Sequence, residues 1–248
     1  MFDHVTIRAS DLAASERFYD AVLGTLGIPK TGSAGDFGDG CPEGAEWEDF
    51  SMAEGEPTTG LHIAFCAWTH EDVDMFWRTG VDAGYQSDGE PGPRREYGET
   101  YYGGFLLDPD GNSAEAVHFE RERPVPDGQI DHVWIRVRDP AASKRFYTTI
   151  APYAGLRLGT DEPGRVQMVG EDYSFSLVAD ERPLTEPVHL AFPARDDATV
   201  RAFHAAAIAA GYEDHGGPAE RAFYHPGYYG AFVLDPDGHN VELVNHNR

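Results

Sequence analysis

The chain is short of positive charge, of cysteine and of long apolar runs, and each shortage removes a class of answer. Lysine and arginine number 19 against 43 acidic residues, for a formal net charge of −24. Phosphate would be repelled, which argues against a nucleic-acid partner. Lys30 and Lys144 are the only lysines. Much of the acid falls in expected loops such as residues 35–50, so the excess reads as a solvated surface. Cys41 and Cys66 are the only cysteines, too few for a disulfide framework and in keeping with a reducing, cytoplasmic setting. No apolar run is long enough to span a bilayer. The N-terminus leads straight into a strand-like segment without a signal-peptide pattern. What is present, 41% hydrophobic residues in 248, suffices for one large core or two smaller ones.

The chain is also written twice. FDHVTIRASDLAASERFY at 2–19 returns as IDHVWIRVRDPAASKRFY at 130–147, and GGFLLDPDGNSAEAV at 103–117 as GAFVLDPDGHNVELV at 230–244. Repeats of this kind decide the architecture. They predict two related domains, 1–121 and 128–248, joined by a polar segment carrying Pro124 and Pro126.

Each half divides again into two units that start with a strand and pass into a helix. His4, Thr6 and Arg8 alternate with Val5 and Ile7, which is strand periodicity. Asp11 is placed to cap a helix presenting Phe18, Val22 and Leu26. Asp139-Pro140 starts its counterpart. LHIAF at 61–65 precedes a helix capped by Thr69, with Asp72 three residues on. VHLAF at 188–192 precedes another. Gly84 and Gly211 mark the helix ends. The turns Asp108-Pro109-Asp110-Gly111 and Asp235-Pro236-Asp237-Gly238 join antiparallel strands. The pattern is α+β.

Three residue types that bind metals return with the repeat: His4 with His132, His62 with His189, Glu115 with Glu242. Duplication also copies inert residues. More telling is that strand alternation sets every one of the six opposite its strand's apolar positions, so that a curled sheet would gather them inside it. Two histidines and one carboxylate form an open ligand set for a divalent metal.

DHV at 3–5 and 131–133, LHIAF and VHLAF, and DPDGNSAE and DPDGHNVE resemble the vicinal oxygen chelate superfamily over nearly the whole chain. That group includes glyoxalases, extradiol dioxygenases, epimerases and bleomycin-resistance proteins. The resemblance implies four βαβββ modules forming two tandem domains with open, cup-like barrels. It also implies a divalent metal (Fe, Mn, Zn or Ni) and a small oxygen-bearing substrate. His132, His189, Glu242, His4, His62 and Glu115 match the family's ligand positions. The second half is the better match, because HNVE is nearer the family motif than NSAE. Modules of this family pair within a half or across halves. The sets are therefore either His4/His62/Glu115 with His132/His189/Glu242, or His4/His189/Glu242 with His132/His62/Glu115.

Two departures shape the expected chemistry. Phe105 and Phe232 stand where extradiol enzymes place an acid–base tyrosine. FSMAE at 50–54 and FSLVA at 175–179 offer only Glu54 as a fourth, glyoxalase-type carboxylate, so a three-ligand site is expected. His225, aligned with Glu99, and Tyr228 or Tyr229 are candidates to replace the missing acid–base group. Trp134, which replaces Thr6, together with Tyr228 and Phe232 are candidates for substrate contact. The leading expectation is a metalloenzyme catalysing isomerisation, lyase chemistry or dioxygenation. The alternative is a non-catalytic cup sequestering a small molecule such as a cationic antibiotic. With four modules already in one chain, a monomer or weak homodimer is expected.

Overall fold

A computed structural model describes residues 2–34, 44–47, 49–120, 129–171 and 173–247. Cys41, residues 35–43 of the acidic stretch and the linker prolines Pro124 and Pro126 lie outside them. Each of four modules has the order βαβββ. The first holds β1 (His4–Ala9), α1 (Leu12–Gly24), β2 (Gly32–Ala34), β3 (Gly44–Trp47) and β4 (Phe50–Glu54). The second holds β5 (His62–Cys66), α2 (His70–Asp82), β6 (Ser87–Pro93), β7 (Tyr102–Leu107) and β8 (Ser113–His118). The third holds β9 (Ile130–Arg136), α3 (Pro140–Ala154), β10 (Arg157–Glu162), β11 (Arg165–Val169) and β12 (Ser174–Val178). The fourth holds β13 (His189–Pro193), α4 (Asp197–Ala209), β14 (Glu213–Glu220), β15 (Tyr229–Leu234) and β16 (Asn240–Asn245).

The helices start where their caps require. Asp11 accepts from Ala14 N, Asp139 from Ala141 N and Ala142 N, and Thr69 and Asp72 close a reciprocal capping box. Gly84 and Gly211 follow the second and fourth helices with φ of +91° and +88°, a backbone that glycine adopts without strain. α1 is shorter than its apolar spacing suggests. It stops at Gly24, and Leu26 reaches the core from the turn beyond, still buried.

Two eight-stranded sheets result, and neither follows the halves of the sequence. One runs β14-β15-β16-β13-β1-β4-β3-β2 and joins the first module to the fourth. The other runs β10-β11-β12-β9-β5-β8-β7-β6 and joins the third to the second. The seams are antiparallel, with His4 opposite Ala191 and Thr6 opposite His189 in one, and Ala64 opposite His132 and His62 opposite Trp134 in the other. No sheet closes into a barrel among the described residues.

The two modules of each half are tied to one another on the helix side instead. Buried Tyr19 donates to Asp108 Oδ2 at 2.9 Å, and buried Tyr147 to Asp235 Oδ2 at 3.1 Å. The other oxygen of each aspartate accepts from backbone N–H groups of its own turn: Asp110 and Asn112, or Asp237 and His239. Each DPDG turn is thus anchored by a tyrosine of the preceding module. Burial pushes both aspartates up and both phenols well above their usual range. Phe18, Phe50, Phe65, Phe146, Phe175 and Phe192 fill the core around these tyrosines. Each contributes roughly 1.5–3 kcal/mol by leaving water. No helix among the described residues is long and apolar enough to cross a membrane.

Candidate metal centres

Strand alternation turns the apolar side chains of β1, β5, β9 and β13 toward the helices and their histidines into the trough of each sheet. Because the sheets join modules across halves, the six residues form His4/His189/Glu242 and His62/Glu115/His132, the donor atoms of each set lying within 4.8 Å of one another. This resolves the open pairing. The set His132/His189/Glu242 does not form, because the β5–β9 seam carries His132 to His62 in the other sheet.

At the His62 centre the donors form a triangle. His62 Nε2 is 3.0 Å from Glu115 Oε2 and 3.2 Å from His132 Nε2, and His132 Nε2 is 3.4 Å from the same oxygen. Metal–donor bonds of about 2.1 Å meeting at octahedral or tetrahedral angles separate donors by about 3.0–3.4 Å. The His4 centre is similar, with His189 Nε2 at 3.0 Å and His4 Nε2 at 3.6 Å from Glu242 Oε2.

The outer partners fix which nitrogen points inward. His132 Nδ1 donates to Asp131 Oδ1 at 2.7 Å and His4 Nδ1 to Asp3 Oδ1 at 2.8 Å. A carboxylate only accepts, so each inner Nε2 keeps its lone pair when the ring is neutral. Ser113 donates to Asp88 at 2.7 Å and so accepts from His62 Nδ1 at 3.2 Å. Asn240, at the place of Ser113, lies 2.8 Å from His189 Nδ1 through its amide nitrogen, while its own Oδ1 is buried without a partner. Turning that amide over supplies the acceptor and satisfies the oxygen. Each centre then aims two nitrogen lone pairs and an ionised carboxylate at one point. That arrangement is repulsive without a cation, and the donor set fits a divalent metal.

The second oxygen of each glutamate is also held. Tyr101 donates to Glu115 Oε1 and Tyr228 to Glu242 Oε1, both at 2.7 Å. Burial, and then the neighbouring carboxylate, push both phenols far above 10, so they remain donors. A Cβ on Gly103 or Gly230 would collide with that glutamate oxygen, which explains the glycine after each tyrosine pair. Burial raises Glu115, but once a ring takes a proton on Nε2 in the metal-free chain, the bonds and charge of His132 and His62 outweigh it and hold the carboxyl at about 2. Burial lowers His62 and His189 below 6.5 against the pull of their glutamates.

Around the centres the expected residues divide. Trp134 stands 5.4 Å from the His62 ring, and Phe105 and Phe232 lie about 6 Å from His62 and His189. Neither phenylalanine carries a proton. Tyr228 faces its centre. Tyr229, one residue on in β15, points to the helix side, where Arg201 of α4 donates to its hydroxyl at 3.2 Å. His225 lies off the donor triangle. Its Nδ1 donates to the Pro226 carbonyl and its Nε2 is 2.8 Å from His246 Nδ1, while His246 Nε2 donates to Asp3 Oδ2 at 2.8 Å. These bonds need three ring protons between two imidazoles, one more than two neutral rings carry. The backbone bonds Tyr97 N→Arg94 O and Tyr224 N→Arg221 O align the loops so that Gly98, not Glu99, matches His225.

Asp3, Asp131, Tyr101, Ser113, Asn240 and His246 complete the centres and were not singled out by the sequence. Asp3, Asp131 and Tyr101 recur in DHV and YYG, so the repeat marked them. His246 has Phe119 as its counterpart and left no such signal. A cavity of about 270 Å³ opens beside the His62 centre, lined by Tyr97, Tyr101, Phe119, His132, Trp134 and Arg165 among others.

Residues 1–116 and 129–243 each match the family model described as the Glyoxalase/Bleomycin resistance protein/Dioxygenase superfamily. Glyoxalase I from Zea mays is similar in structure over 99% of this chain and 92% of its own, at 21% identity and a TM-score of 0.67. A point variant of that enzyme gives 22% and 0.69 over the same shares. A candidate dioxygenase from Bacillus subtilis gives 13% and 0.72, over 100% of this chain and 85% of its own. At these identities the likeness establishes the fold alone. No curated protein matches the chain.

Proposed function

The chain belongs to the glyoxalase/bleomycin resistance protein/dioxygenase superfamily, and from that premise we propose that it is a divalent-metal enzyme acting on a small oxygen-bearing organic molecule. One observation carries the reading: each sheet gathers two imidazole lone pairs and a carboxylate at metal-ligand spacing, with every donor oriented from behind. A metal held there supplies Lewis acidity toward substrate oxygens and leaves coordination positions open.

The protein's own residues narrow the chemistry. His62, His132 and Glu115 hold the metal while Tyr101 keeps Glu115 in place. Phe105 beside His62 gives ring cleavage no general acid at that position, which favours isomerase- or lyase-type chemistry over extradiol cleavage.

The test is elemental analysis of protein purified without chelator or affinity-tag metal. Two transition-metal ions per chain are expected, falling to one in His132→Ala and one in His189→Ala. Failure to hold or take up Fe²⁺, Mn²⁺, Ni²⁺ or Zn²⁺ would overturn the reading.

A further inference from the structure

The cavity at the His62 centre contains a charge that metal binding does not use. Arg165 lines it, its guanidinium carbon 4.6 Å from the centre of the Trp134 ring. Its Nε donates to Ser176 Oγ at 3.3 Å, and its two Nη groups make no hydrogen bond among the described residues. The arginines that form ion pairs there are Arg136, Arg182 and Arg195; Arg165 is not among them. Many described arginines form no ion pair; what sets Arg165 apart is its place in a cavity wall beside the candidate metal ligands. Glu96 and Asp131 also line the cavity, and Asp131 is engaged by His132.

Position gives that charge a purpose. Trp134 lies 4.6 Å from the Arg165 guanidinium carbon and 5.8 Å from the His132 ring, so one indole neighbours both the guanidinium and the donor triangle. Tyr97 meets Trp134 edge-on at 5.7 Å. The cavity therefore has a flat aromatic flank, an unpaired bidentate donor at one end and the metal ligands at the other. The His4 centre lacks the indole and the guanidinium. By strand register Thr6 stands where Trp134 is, and Gly44 where Arg165 is.

The geometry points to a planar organic anion as the substrate class of the His62 centre. Its carboxylate sits on the Arg165 fork, its unsaturated body lies along Trp134 and Tyr97, and its oxygens face the triad. This rests on the metalloenzyme reading but is tested apart from it. The probes are 3,4-dihydroxybenzoate and its uncharged primary amide, titrated by calorimetry into chelator-treated wild-type, Arg165→Gln and Arg165→Lys chains. Metal uptake is counted on separate portions of the same preparations. The expected result is at least a tenfold preference of wild type for the acid. Arg165→Gln should abolish that preference by weakening the acid alone, and Arg165→Lys should restore part of it. Equal binding of acid and amide by wild type, or an unchanged preference in Arg165→Gln, overturns the inference. Metal uptake without the preference sinks this inference alone, whereas the preference without metal uptake upholds it and sinks the metalloenzyme reading alone.

Discussion

The two centres share a candidate ligand set and the residues directly behind it, and differ in the walls around them. At the His62 centre the histidine side chains are 11% and 7% exposed, against 20% and 19% for His189 and His4. The deeper centre has Trp134 and Arg165 where the other has Thr6 and Gly44. The shallower one has His246 and His225 behind Asp3, where the deeper one has Phe119 and Gly98. What duplication kept is what a metal needs: two nitrogens, one carboxylate, a tyrosine and glycine behind the carboxylate, and an aspartate behind one histidine. What it let drift is what a substrate would touch. The difference separates the residues of a general metal scaffold from those that specialise one copy.

The largest effect that would sharpen this contrast comes from the glutamates. Glu115→Gln keeps an oxygen for Tyr101 but removes the only negative ligand of its triad. It should weaken metal at the His62 centre by roughly 100-fold or more, beyond what outer-shell changes cost, while Glu242→Gln does the same at the His4 centre alone. Metal counted after dialysis against a weak chelator distinguishes them; loss of both ions from either variant would mean the centres are not independent. Next come the residues behind the carboxylates. Tyr101→Phe and Tyr228→Phe each remove a 2.7 Å bond to a glutamate and should cost about 10–100-fold in affinity, each at its own centre. Equal losses at the two centres are expected, since this layer is shared.

Acid should expose the shared layer in another way. His62 and His189 are lowered below 6.5 in the folded chain, so as pH falls through that value the unfolded chain takes up protons first and the metal-free fold loses stability. Glu115, lowered from 4.5 to about 2, contributes stability that is complete above 4.5 and is lost as pH falls toward 2. Urea midpoints of chelated protein measured against pH should show both declines, with Glu115→Gln flattening the lower one. A midpoint constant between pH 7 and 5 would contradict the depressed histidines.

How much of this was legible follows the same division. The six candidate ligands and the α+β modules could be read because the repeat printed them twice, and the helix starts because Asp11, Thr69 and Asp139 are local signals. The grouping of ligands was not legible. It depends on the β1–β13 and β5–β9 seams, which pair strands far apart in sequence, and both pairings suit the same alternation. Tyr228 and Tyr229 were weighed together, although adjacent positions in a strand face opposite sides. Arg165 and His246 escaped because reading by repeat sees only what both copies share, and their counterparts are Gly44 and Phe119.

The smallest effect probes that unshared layer directly. His246→Phe gives the His4 centre the residue that the His62 centre already has at the matching position. It removes the donor at 2.8 Å from Asp3 while leaving Asp3 bonded to His4. Asp3 is partly buried, and bonds from His246 and His4 hold its carboxyl far below the usual range against the raising effect of that burial. Losing one of them leaves the carboxylate less well satisfied and His4 less firmly aimed. Acting two hydrogen bonds behind His4, the change should cost less than the tenfold or more typical of direct outer-shell partners. Zn²⁺ titration in a Glu115→Gln background, where only the His4 centre loads, reads that loss without interference. A drop as large as that of Tyr228→Phe would make His246 part of the metal scaffold and move the boundary between the kept and the drifted residues one layer outward.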